Sequence, residues 1–308
     1  MPILYESVRN AKDISANQLT EITEQLKSEI SGEVRMDAYS RALYSTDASM
    51  YQMQPVGVVV PRTTEDVQAT VQIAIQHNVP VLPRGGGTGL AGQTTNHAIV
   101  MDFSKYMRNV LEEQPEERWA RVQPGIVNNH LSAYMKKHGL MYGPDPVTSA
   151  RATIGGGIGN NSCGSHSVIY GKTLDHILEV NAVLADGSTV RFDAAGGQEL
   201  ERRLSLETLE GQLYREVRRI AFQHRDEVAS RFPKILRRVS GYNLDDFVTD
   251  SPMNLTRMIG ASEATLAIVT EAQVNLVPVP KMRGTAAIHF HGLVESMEAT
   301  VAILQHGP

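Results

Sequence analysis

Glycine carries the chemistry that this sequence offers. Of 25 glycines, five fall in Pro83–Gly92 (residues 85, 86, 87, 89 and 92) and five in Ile154–Gly164 (155, 156, 157, 159 and 164). A residue without a Cβ reaches positive φ and lets successive backbone N–H groups converge on an anion, forming a nest that neutralises phosphate without lysine. Two such segments point to one extended phosphate-bearing ligand. Flexible surface turns are the competing reading, but turns are normally short and polar, whereas Leu90, Ala91, Ile154 and Ile158 interleave with the glycines here.

Context excludes two other phosphate motifs. Gly87-Thr88-Gly89-Leu90-Ala91-Gly92 has the GxGxxG spacing of a Rossmann site, yet such a loop must open into a helix, and here Gln93–His97 leads to an apolar run, Ile99–Phe103, that reads as a strand. Neither segment ends in Gly-Lys-Ser or Gly-Lys-Thr, so a Walker loop fails as well.

The elements that must position these segments follow from periodicity. Leu19, Ile22, Leu26 and Ile30 behind Ser15 predict an amphipathic helix, with Tyr39–Tyr51 as a linking segment. Val56–Val60 reads as a strand. Thr63 and Thr64 are N-cap candidates for a helix through Val67, Val71, Ala74 and Ile75, and Val79–Leu82 is a second strand running into the first glycine segment. Beyond it come a strand near Ala120–Val122, a helix Ile126–Lys137, the second glycine segment as a loop, and a hairpin centred on Ala185-Asp186-Gly187-Ser188. A helix around Leu213–His224 follows, then a strand-like stretch Ala264–Val277. Val277-Pro278-Val279-Pro280 punctuates the chain as an interdomain joint would. The mixture of hairpins and helices argues an α+β fold rather than a doubly wound sheet.

Composition bounds the function. A chain of 308 residues suggests about two domains. Net charge is −5, and the densest basic groups, Arg202–Arg203, Arg218–Arg219 and Arg237–Arg238, form no stripe for nucleic acid. The single cysteine, Cys163, excludes an intramolecular disulfide and a protein-ligated iron–sulfur cluster within this chain, and it reads as a small buried hydrophobe rather than a redox thiol. No segment approaches the roughly 18 apolar residues of a transmembrane helix, and Met1–Asp13 lacks a basic stretch followed by an apolar run; the expected location is cytoplasmic. His289 and His291 are expected to be half-exposed strand residues and not metal ligands; no metal is expected.

Three segments in order resemble the vanillyl-alcohol oxidase/p-cresol methylhydroxylase-type FAD-binding fold: PRGGGTGLAG at Pro83–Gly92, ATIGGGIGNNSCG at Ala152–Gly164 and IGASEATLAIVTEA at Ile259–Ala272. The likeness runs from about Pro55 to Pro280. Within that family the sequence is most similar to the D-lactate, glycolate and D-2-hydroxyglutarate dehydrogenase branch, including Leu184–Gly187 and Ser240-Gly241-Tyr242-Asn243-Leu244. It departs at Ala264, where glycine is usual, and at Ala267.

The resemblance implies a two-subdomain FAD-binding domain over 55–280, divided into about 55–122 and 123–280. A helical segment (1–54) precedes it, and 281–308 is the incomplete start of a cap domain with a strand Ala286–Phe290 and a helix through Val294, Met297, Val301 and Leu304. It implies FAD contact from Pro83, Arg84, Gly85, Gly86, Gly87, Thr88, Gly89 and Leu90 in the first segment. The second contributes Pro144, Ala152, Thr153, Gly155, Gly156, Gly157, Asn160, Ser162 and Gly164, and the third Glu263, Ile268 and Val269. Arg84 is expected to balance phosphate charge, and Gly86 to need positive φ. Thr88 and Leu90 stand where covalently linked relatives often carry histidine, so the implied FAD is noncovalent.

The implied reaction is oxidation of a 2-hydroxy acid to its 2-oxo acid, with hydride passing to flavin N5 and on to an electron acceptor or iron–sulfur partner domain or subunit outside this chain. Tyr242 and Arg238 are candidates for the flavin's reactive face, and a missing cap implies little turnover by the chain alone. The alternative is a non-catalytic flavin-fold subunit or regulatory module of a larger oxidase complex.

Overall fold

The computed structural model describes residues 14–249, 252–282 and 284–307; the Met1–Asp13 reading lies outside them. The chain divides into two compact units, one ending at Pro278 and one beginning at Val279.

The first unit opens with α1 (Ala16–Glu29), where Ser15 Oγ accepts from Gln18 N–H at 3.2 Å, and Ile22 and Leu26 are fully buried. Next come β1 (Glu33–Arg35) and α2 (Ala38–Leu43). The helix α2 corrects the expected Tyr39–Tyr51 link: Asp37 caps it by accepting from Ser40 N–H at 2.8 Å, a local signal that outweighs its weak periodicity. Then β2 (Gly57–Val60), α3 (Thr64–Gln76), β3 (Val81–Arg84) and β4 (Ile99–Asp102) follow. The sheet order is β1-β2-β4-β3, with β2, β4 and β3 parallel. All four residues of β2 and of β4 are buried, as suits parallel strands covered on both faces.

A second, all-antiparallel sheet has the order β5-β6-β10-β8-β9, formed by β5 (Val110–Gln114), β6 (Trp119–Val122), β8 (Ile177–Val183), β9 (Thr189–Phe192) and β10 (Ile268–Asn275). A two-residue strand, β7 (Leu140–Met141), pairs with β11 (Val277–Pro278). The sheets divide between Met107, in the first core, and Val110, on β5, rather than at Val122: β6 is an inner strand of the second sheet. Helices α4 (Asn128–Met135), α5 (Ile154–Asn160), α6 (Ser167–Tyr170), α7 (Gly197–Leu204), α8 (Leu209–Gln223), α9 (Arg225–Arg231) and α10 (Thr256–Ile259) complete the unit. Each sheet has its own core, and Val183 and Ile268 of the second sheet pack into the first core, tying the two together.

Ala286–Phe290 forms no strand in the second unit, correcting the expectation. A strand needs a ladder partner for its N–H and C=O groups, and among the described residues none pairs with it. His289 and His291 are exposed on this segment, off any strand. The helix α11 (Leu293–Leu304) does form, and it has no buried residue.

Candidate functional site

The second glycine segment is a helix, not a loop. Thr153 caps α5 by accepting from Gly156 N–H at 3.3 Å, and Asn161, at φ +45, ends it in the left-handed conformation that asparagine tolerates at a C-cap. Glycine costs a helix interior about 1 kcal/mol against alanine, so each one needs a cause. For Gly155 it is close approach, since a Cβ would lie 2.7 Å from Pro124 Cβ. For Gly156 and Gly159 the protein supplies no such cause: a Cβ would meet nothing nearer than Thr153 Oγ1 at 3.4 Å or Glu263 Cα at 3.9 Å. Both line a cleft, and the space a side chain would take is left open there.

That cleft encloses about 650 Å³, counting its open mouth, and the three glycine-bearing or apolar motifs build it together. Pro83, Arg84 and Gly85 come from the end of β3, Thr153, Gly155, Gly156 and Asn160 from α5 and its cap, and Glu263 and Val269 from the third segment. Sequence reasoning missed Gln93, Thr94, Phe103, Pro124, Ile158, Gly159, Ile259, Ser262, Ala264 and Ala267 in the same wall. Ser262 matters most among these, because its hydroxyl is buried without a protein partner.

The remaining expected contacts lie outside the lining, among them Gly86, Gly87, Thr88, Gly89 and Leu90, which continue the chain from Gly85 in the wall. Ile268 and Val269 are neighbours on β10, so only one can face the cleft; Ile268 turns into the first core. Gly164 meets Asp145, whose carbonyl would lie 1.9 Å from a Cβ, and Gly157 faces Thr173. Ala152 and Pro144 are buried, and Ser162 bonds Gly157 and Thr173 through its backbone.

The first segment remains a loop between parallel strands; the Gly87 carbonyl accepts from Ala48 N–H at 3.0 Å, but the amides from Gly85 to Leu90 are unspent. Among the described residues no acceptor takes the N–H of Gly85, Gly86, Gly87, Thr88, Gly89 or Leu90. By contrast, Ile154, Gly155, Gly156 and Gly157 all donate to protein oxygens: Ile126 O, Pro124 O, Thr153 Oγ1 and Thr153 O. The two motifs therefore do different work: the first offers donors, the second offers room. Gly87, at φ +62, and Gly92, at φ +78, are the left-handed residues of the segment; Gly86 is not, which corrects that expectation. What requires glycine at 86 is the Arg151 carbonyl, 2.3 Å from where a Cβ would stand.

Arg84 is a strut. Its guanidinium donates to the carbonyls of Thr46 (2.9 Å), Thr94 (3.2 Å) and Tyr44 (3.4 Å), folding the loop's two ends together. Burial pulls its proton affinity below the ordinary arginine value, against the pull of Asp102 and Asp47. Tyr242 and Arg238 do not line the cleft; Tyr242 Oη pairs with Thr265 Oγ1 at 2.8 Å and Arg238 grips Asp245 at 2.6 Å.

The third segment bends through three left-handed non-glycine residues, Ala261 (φ +66), Glu263 (φ +50) and Ala264 (φ +61), which line or adjoin the cleft. Such a conformation costs an L-residue about 1–2 kcal/mol. At Ala264 a glycine would adopt it without that cost.

A run of six free amides that begins at Gly85 in the wall, an open cradle over α5 and a partnerless buried hydroxyl fit a large ligand with a phosphate-containing end, as FAD is. Among the described lining residues there is no histidine, cysteine or tyrosine to bond it covalently. Acid precipitation is therefore expected to release the yellow chromophore into the supernatant; colour left in the pellet would contradict noncovalent binding.

Comparison with known proteins agrees. Residues 55–193 match a family model described as an FAD binding domain. D-2-hydroxyglutarate dehydrogenase of Escherichia coli (strain K12) is 38% identical over 257 residues, covering 82% of this chain and 25% of that protein. Glycolate oxidase subunit GlcD of Bacillus subtilis (strain 168) is 33% identical over 270 residues, covering 86% of this chain and 46% of that one. The chain thus spans about a quarter of the length of the D-2-hydroxyglutarate dehydrogenases it matches. In fold it is similar to p-cresol methylhydroxylase, with a TM-score of 0.62 at 15% identity, over 88% of this chain and 45% of that one. No helix among the described residues is long and apolar enough to cross a membrane. Residues 55–193 thus match an FAD binding domain, the fold is similar to that of p-cresol methylhydroxylase, and the relatives are named D-2-hydroxyglutarate dehydrogenase, D-lactate dehydrogenase and glycolate oxidase.

Proposed function

We propose that this chain is the flavin-binding part of a cytoplasmic FAD-dependent dehydrogenase or oxidase that converts a 2-hydroxy acid such as D-2-hydroxyglutarate, D-lactate or glycolate to the 2-oxo acid. The observation that carries the cofactor half of this reading is the run of six unpaired amides, Gly85–Leu90, which starts at Gly85 in the wall of a cleft lined by all three motifs. The names of the relatives carry the substrate half. When bound, FAD supplies the two-electron acceptor for a hydride leaving the substrate's Cα.

The chain's own residues hold and orient. The Gly85–Leu90 amides take the diphosphate, the Ser262 hydroxyl hydrogen-bonds into the cleft, and Gly156 and Gly159 keep the floor open. The ionisable side chains in the described lining are Arg84, spent on carbonyls, and Glu263, which is exposed. Neither is a poised base, so the hydroxyl proton passes to a group outside this lining, and the electrons go on to an acceptor or iron–sulfur partner outside the chain.

Purified protein is expected to carry FAD. Anaerobic addition of each of the three acids should bleach its visible absorbance more slowly than typical turnover of roughly 10 per second, and an artificial dye should reoxidise it. A colourless protein that takes up no FAD would overturn the cofactor half. Flavin that none of the acids bleaches would overturn the substrate half and favour a non-catalytic flavin-fold subunit.

A further inference from the structure

The segment Ser240–Asp246 reaches neither the cleft nor any group the proposed chemistry uses, yet its side chains converge on the third motif. Asn243, almost fully buried, donates through Nδ2 to the carbonyls of Arg257 (3.0 Å) and Gly260 (2.8 Å). Asp246 accepts from Arg257 Nε at 2.8 Å, and Arg257 Nη1 donates to Leu174 O at 2.6 Å. Tyr242 Oη pairs with Thr265 Oγ1, which itself donates to Ser262 O at 2.6 Å. These contacts fall on both sides of the left-handed turn Ala261–Ala264.

The opposite side of that turn is tied to α5: Ala261 N–H donates to Ile158 O and Glu263 N–H to Gly159 O, each at 3.0 Å. A backbone held in a sparsely populated conformation persists only where its surroundings over-determine it. Here two sets of contacts do so, one from α5 and one from Tyr242 and Asn243.

We infer that Tyr242 and Asn243 are positioning residues that lock the Ala261–Ala264 turn in its left-handed form, and thereby set how tightly the cleft holds FAD through Ser262 and its neighbours. This rests on the cleft being the FAD site. The inference gives Tyr242 a role at one remove from the ligand: its hydroxyl fixes the turn, and the turn presents the wall.

The test uses Tyr242→Phe, which removes only a half-exposed hydroxyl, together with Ala264→Gly, which lets the turn adopt its conformation without help. Titration of the flavin-free protein with FAD should show Tyr242→Phe binding about tenfold more weakly, the size expected for one lost hydrogen bond. Ala264→Gly alone should bind as well as the unaltered protein or better, and adding it to Tyr242→Phe should restore affinity to within about twofold, because the two changes act on one turn. A residue that merely stabilised the fold would lower the melting temperature and leave affinity measured well below it unchanged. Unaltered FAD affinity in Tyr242→Phe overturns the inference, as does a loss that Ala264→Gly does not repair. Failure of the unaltered protein to bind FAD at this cleft would instead overturn the site itself, and the control titration reports that separately.

Discussion

Gly86→Val is expected to abolish stoichiometric FAD binding while leaving both cores folded. A Cβ at 86 would stand 2.3 Å from the carbonyl oxygen of Arg151 and 3.2 Å from its carbon. Because these are backbone atoms, no rotamer change relieves the clash, and valine adds two methyl groups to it. Next to it, Gly85 already lies where a Cβ would meet Thr153 Oγ1 at 2.1 Å, so the loop has no room to shift along α5. It must lift away instead, drawing the free amides off from the cleft wall that Gly85 lines. Overpacking of this kind costs about 1–3 kcal/mol, and losing the aligned donors adds to it, so affinity should fall by more than about 100-fold. The loop belongs to neither core cluster, and the circular dichroism of the variant should match that of the parent. Flavin retained at one per chain after gel filtration would remove this loop from the site.

Gly156→Ala should move stability and cofactor affinity in opposite directions. In the interior of α5 the exchange favours the helix by about 1 kcal/mol, and the nearest atom to the new Cβ, Thr153 Oγ1 at 3.4 Å, is a side-chain hydroxyl that can yield slightly. The flavin-free protein should melt roughly 2–4 °C higher. The methyl group, however, enters the cleft that Gly156 lines, and FAD affinity should drop at least about tenfold, comparable to other small-to-large changes in a packed site. Binding equal to the parent's would show that the glycine is not there for the ligand. A lower melting temperature in the absence of FAD would show that the protein itself needs the open space.

Much of this site was readable in the sequence, and the failures have physical causes. Clustering located both glycine segments, and the strand after Gln93–His97 correctly separated the first from a Rossmann loop, because β3 and β4 bound it directly. Glycine density did not distinguish a nest from a helix: residues 154–160 have poor helix propensity, and the helix forms because Thr153 caps it and Pro124, Ile126 and Thr153 take its first amides. Helical and strand periodicity found α1, α3 and α8. It missed α2, whose cap at Asp37 is its main signal, and β1, a three-residue strand lacking a fully buried position. Tertiary facts stayed hidden. Nothing in the residue types of Arg84 shows that its donors go to Tyr44, Thr46 and Thr94, and Ile268 and Val269 were both assigned to the ligand although alternation allows only one of them to face it. The departure at Ala264 is a left-handed residue held by its surroundings.

The unpaired amides of Gly85–Leu90 also decide how this site responds to its solution. Peptide dipoles do not titrate, and the nearby cation, Arg84, is fastened to carbonyls and stays protonated throughout the biological range. A diphosphate held in this way is gripped by fixed geometry, so the grip does not change with the protonation of a lysine or histidine. The described lining carries no cluster of positive charges to repel one another. The corresponding cost falls on the unfolded chain, whose glycines have more conformational freedom to lose than any other residue.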